Sequence, residues 1–142
     1  MNQRQIQALG YGGLIPFFGC VLLSYRSDQP DFWVFSLHVY AVMIASFLGA
    51  ISWGLVLSYK EMSMPQRRWL VYWGVTPAIL GWICILLPQA IQVGPLVALF
   101  ALILVVDRYI YRQQGLPAFW LKLRFRLTFG VTLALILAEF VQ

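Results

Sequence analysis

Few side chains in this sequence can do chemistry, and they are widely spaced. Asp107 and Arg108 stand side by side, a carboxylate that could act as acid or base and a guanidinium that could clamp a phosphate. On a helix neighbours point about 100° apart, so the two are poorly placed to pair with each other. Asp107 is expected instead to reach a basic residue of the second or fourth loop. His38, the single histidine, can protonate or ligate, but a metal site needs three or four ligands and no Cys or acid stands at helical spacing from it. It is expected to make an interfacial hydrogen bond. Cys20 and Cys84 could meet in a disulfide or serve as two small buried hydrophobes, and the second reading is preferred. No nucleophile with a base, no zinc-binding helix motif and no phosphate-cradling glycine loop is present. No catalytic residue, metal or cofactor is assigned.

What must position these groups is set by composition. The 142 residues are 61% hydrophobic and 11% charged, with a mean hydropathy of +0.78. A soluble domain carries roughly 25% charged residues, so lipid must take over the burial that a water-excluding core would provide. Five apolar stretches, approximately 9–25, 32–58, 69–87, 93–109 and 123–141, are long enough to cross a bilayer. Lipid offers no partner to backbone polar groups, and the stretches lack the alternation of barrel strands. The expected fold is an all-α polytopic bundle, one domain over 1–142, with the long second helix tilted or projecting.

Charge sorts across the five crossings. Arg4, Lys60, Arg67, Arg68, Arg108, Arg112, Lys122, Arg124 and Arg126 fall on one side and Arg26 alone on the other. Cytoplasmic loops retain positive charge, so the N-terminus is expected inside and the C-terminus outside. The stretch 116–124 reads as an interfacial segment lying on the membrane. Arg108, Arg112, Lys122, Arg124 and Arg126 are expected at lipid phosphates. The net charge of +5 could suggest nucleic acid, but no basic run is interleaved with aromatics outside the apolar segments, and that partner is set aside. Trp69, Trp73 and Trp120 should mark the inner interface and Trp33 the outer.

Small residues recur at helical spacing: Ser46, Ala50 and Gly54, with Ala45 and Gly49, then Gly74, Ala78 and Gly81, then Gly130, Ala134 and Ala138. They allow close helix packing inside the bundle or against another protein's helix. Pro77 lies mid-helix and frees the carbonyl of Trp73, which Thr76 could satisfy. No ionisable group is expected at mid-membrane, which argues against ion-coupled transport.

The segments Tyr11-Gly12-Gly13-Leu14-Ile15-Pro16-Phe17, Ser46 to Gly54, Pro77-Ala78-Ile79-Leu80-Gly81-Trp82, Asp107-Arg108 and Pro117-Ala118-Phe119-Trp120 with Leu123-Arg124 form a recognisable set. Together they resemble domain of unknown function 3429, small bacterial membrane proteins related to mitochondrial transmembrane protein 69. The resemblance marks Gly49, Ser52, Trp53, Gly54, Pro77, Gly81, Trp82, Asp107 and Arg108 as candidate functional positions. It implies a polytopic protein of the bacterial inner membrane and no activity. The family pattern has a histidine before the Trp-Gly pair where this chain has Ser52, so no histidine ligand to metal or haem carries over. The leading expectation is a non-enzymatic accessory or assembly component that binds lipid or another membrane protein, with homo-oligomerisation open. A small-solute or lipid transporter using the Pro77 kink and a notch near Ser52, Trp53 and Asp107 is the alternative. An intramembrane enzyme working on a lipid through Asp107 and Arg108 is a third.

Overall fold

The structure, a computed structural model, describes residues 2–59 and 61–141, the side chain of Tyr111 excepted. Lys60, counted among the basic residues above, lies outside the described residues. The described residues form helices α1 (Gln3–Gly12), α2 (Ile15–Arg26), α3 (Pro30–Ser58), α4 (Met64–Leu86), α5 (Val93–Gln114) and α6 (Ala118–Glu139), with a single 3-10 turn at Gln89–Ile91 and no strand among them. The expected all-α class is what is found.

Prolines and glycines punctuate these helices in chemically sensible places. Pro16, Pro30 and Pro65 occupy the first turns of α2, α3 and α4, where a missing N–H breaks no intrahelical bond. Gln66 Oε1 accepts the backbone N–H of Ser63 at 3.3 Å, satisfying one free donor at the start of α4. α5 ends on Gly115 at φ 62°, a left-handed conformation that costs glycine nothing.

Two boundaries differ from expectation for physical reasons. The first apolar stretch begins six residues earlier than expected, at Gln3, and breaks at Gly13 and Leu14. Pro16 has no N–H for the Gly12 carbonyl four residues back, and the neighbouring Gly13 carbonyl accepts the Tyr40 hydroxyl at 3.2 Å. α6 begins at Ala118, so the stretch 116–124 is not a separate segment on the membrane; from Ala118 it is the opening of the last helix.

Among the described residues four spans are long and apolar enough to cross a membrane: Gln3–Arg26 (α1 with α2), Pro30–Ser58, Met64–Leu86 and Val93–Gln114. α6 has 22 residues but carries Lys122, Arg124 and Arg126 in its first half. At 1.5 Å per residue α3 extends roughly 43 Å, well beyond the ~30 Å hydrocarbon layer.

α3 is the central post, packed against α2, α4, α5 and α6. One apolar core runs through Phe17, Val34, Leu37, Ala41, Ala45, Leu96, Phe100, Ile103, Ala134 and Leu135. A smaller cluster of Val56, Leu70, Val106 and Ile110 closes one end. Because the helices alternate in direction, that end gathers Gln3, Ser58, Met64, Gln114 and Ala118; the opposite end gathers Arg26, Pro30, Leu86, Val93 and Glu139.

The small residues divide by face. A Cβ on Gly49 would stand 2.9 Å from the Gly74 carbonyl and the Pro77 ring, and one on Gly81 would stand 2.8 Å from Val42. These glycines let α3 and α4 touch backbone to side chain. Gly54 faces open space and Ala50 is exposed, so these two turn outward instead, with Ser46 half-buried at the edge of their face.

Candidate functional site

Asp107 lies seven residues before the end of α5, about 10 Å inside the helix. Its Oδ2 accepts a 2.5 Å bond from Arg124 Nε, and the two side chains are 14% and 4% exposed. Arg124 was expected at lipid phosphates; the structure instead buries it within the bundle. A charge so deep survives only when paired, and Asp107 supplies the opposite sign. Positions 124, 128, 131 and 135 of α6 are buried together, a helical stripe that carries Arg124 inward while Lys122 and Arg126 stay exposed. The pair stands toward one end of the bundle, where Asp107 was expected, but Arg124 is drawn into it rather than left at the surface.

Asp107 faces a cavity of about 290 Å³ at the Ser58 and Gln114 end of the bundle. Ser52, Trp73, Phe119 and Trp120 line it with apolar side chains of α1, α3 and α5. The Ser52 hydroxyl shares its proton between the carbonyls of Gly49 at 2.7 Å and Leu70 at 2.9 Å, so it bridges α3 to α4. Its donor is thereby spent, and Asp107 is the charged group on the wall. Asp107, Ser52 and Trp120, distant in sequence, are brought together here.

The remaining marked residues are structural in their contacts. Trp53 lies over Gly74 and donates its indole N–H to the Val71 carbonyl at 2.9 Å, but does not line the cavity. Pro77 is buried against Gly49. Thr76 donates to the carbonyl of Tyr72 at 2.9 Å, not to that of Trp73 as expected. Trp82 is 61% exposed on the outer face of α4.

Arg108, Lys122 and Arg126 converge on an open groove of about 400 Å³ floored by Ala118, Leu121 and Phe125. No acid lines it. Arg126 also donates to the Tyr11 hydroxyl at 3.3 Å, which holds α6 against α1. Arg112 is exposed one turn beyond Arg108 and does not line the groove. Of the five expected headgroup residues, three therefore share a surface and Arg124 is buried.

At the opposite end His38 is fully buried, and it makes a hydrogen bond as expected, its Nδ1 lying 2.7 Å from Gln92 Oε1. Gln92 Nε2 donates to the carbonyls of Ile85 and Leu87 at 3.1 and 2.8 Å. Gln92 thus ties the end of α4 to α3, a role hidden in the sequence except for a lone polar residue before an apolar run. Cys20 and Cys84 are free thiols in the main core.

No curated protein matches this chain, and no solved structure does. The family model that matches describes a protein of unknown function, DUF3429, and it covers residues 2–140. That span includes both ends of the bundle, the Asp107–Arg124 pair and the basic groove, and the chain therefore belongs to the DUF3429 family.

Proposed function

We propose that this protein is a non-enzymatic accessory component of a membrane that holds anionic phospholipid at the Arg108, Lys122 and Arg126 groove. The observation that carries the reading is the convergence of three cations on an apolar floor without a neutralising acid. A phosphate would meet the cations while its glycerol and first methylenes lie on Leu121 and Phe125. The sorting of basic residues supports a cytoplasmic N-terminus, five crossings and a bacterial inner membrane. Exposed Ala50 and Gly54, with half-buried Ser46 a turn away, offer a face on which a helix of another membrane protein, or of a second copy, would fit closely.

Native mass spectrometry of protein released from vesicles of mixed phosphatidylglycerol and phosphatidylcholine tests the reading. Selective retention of phosphatidylglycerol, lost in an R108A/K122A/R126A variant, is the expected result. At about 1 kcal/mol per cation, each single variant should weaken retention roughly fivefold. Equal retention of the two lipids would overturn it.

A second reading, a small-solute or lipid transporter, is favoured by the cavity at Asp107, because a pathway needs such a space. Flux of small polar solutes into protein-loaded vesicles, abolished by D107N, would establish it; vesicles as tight as empty ones would remove it.

A further inference from the structure

A second groove, sharing no lining residue with the basic one, lies where α1 breaks into α2 against α3 and α6. Its volume is about 120 Å³, and Leu14, Phe17, Ile44, Phe47 and Val131 make most of its wall apolar. Two polar groups of α6, one turn apart, also line it: Arg124 and Thr128. Thr128 is 8% exposed, and its Oγ1 finds no hydrogen-bond partner among the described residues. A buried hydroxyl left without a partner is costly, and in lipid no solvent relieves it. Arg124 has five N–H donors, of which Nε–H is taken by Asp107.

We propose that this groove binds a neutral lipid through a carbonyl, the ester carbonyl of a glycerolipid acyl chain, which accepts hydrogen bonds from Thr128 Oγ and an Arg124 Nη. The charge state selects the head. Asp107 already neutralises Arg124, so an anionic head would bring an unbalanced negative charge into the bundle, whereas a carbonyl brings only acceptor lone pairs. Size selects the depth. Apolar cavities of roughly 150 Å³ take a benzene-sized guest, so the groove seats the ester and the first few carbons. Phe47 and Leu9 line the groove and are 65% and 79% exposed, which opens it sideways for the rest of the chain to run into lipid.

The test uses the full-length protein in detergent micelles with two photoreactive probes. One is a diacylglycerol carrying a diazirine near its ester; the other is a free fatty acid with the same diazirine, presented at pH 8. Saturable labelling by the diacylglycerol on the 9–17 and 44–48 segments is expected, with the ionised fatty acid about tenfold weaker. T128V keeps the side-chain volume and removes the hydroxyl, so it should fold at least as well as the parent while labelling falls about fivefold, the worth of one hydrogen bond. R108A/K122A/R126A should label as the parent does, which separates this site from the phospholipid groove. Unchanged labelling in well-folded T128V, or a fatty acid that labels as strongly as the diacylglycerol, overturns the proposal.

Discussion

Arg124 Nε and Asp107 Oδ2 meet at 2.5 Å across α6 and α5, and with them a cation from an otherwise apolar helical stripe acquires its counter-charge. Removing either partner alone leaves the other buried and uncompensated. D107A and R124A are each expected to lose about 3–5 kcal/mol, while D107L/R124M, which removes both charges, should be close to the parent. Unfolding in mixed micelles with increasing dodecyl sulfate measures all three, and additive losses in the double variant would show that the pair is not coupled.

Gly49 and Gly54 test the two faces of α3. G49A places its methyl 2.9 Å from the Gly74 carbonyl and the Pro77 ring, and should cost about 1–3 kcal/mol as α3 and α4 separate. G54A meets open space and gains helix propensity, so its melting temperature should equal or slightly exceed the parent's. A thermal melt in detergent distinguishes them.

Gln92 holds three partners at once, His38 and the carbonyls of Ile85 and Leu87. Q92L should free all three and cost about 1–3 kcal/mol. Hydrogen exchange would report the loss as faster exchange of the amides from Leu87 to Gln92, with the α5 amides beyond Leu96 unaffected.

Orientation is checked by labelling. In intact inverted vesicles of a bacterial inner membrane, a membrane-impermeant maleimide should modify Q114C and spare S27C, and in right-side-out spheroplasts the pattern should reverse. Both reporters require the native Cys20 and Cys84 replaced by alanine.

The helices were legible because their evidence is length: an apolar run too long for a buried core has few other uses. What misled was Arg124. Its neighbours Lys122 and Arg126 made the segment look amphipathic and interfacial, yet Arg124 shares its face with Thr128, Val131 and Leu135, and that register could have been read from the sequence. Asp107 was expected to reach a basic residue of the second or fourth loop; its partner is basic but stands within α6. The cavity beside Ser52 and Asp107 was legible only as a notch, since its volume depends on how Trp73 and Trp120 fill space between helices. The Tyr40 bond to Gly13 joins residues 27 positions apart and has no local pattern to announce it.

The buried arginine also bears on how the chain is made. α6 follows α5 in the chain, and an arginine at the centre of a helix that meets the translocon alone carries an insertion penalty of about 2.5–3.5 kcal/mol, of which Arg124, two turns into α6, incurs a part. α5, already in place, offers Asp107 as a receptor for it. We therefore expect α6 to be escorted into the bilayer by its predecessor: in a glycosylation-mapping assay, D107L should leave a fraction of nascent chains with the end of α6 stranded on the side of synthesis, whereas D107L/R124M should restore full insertion.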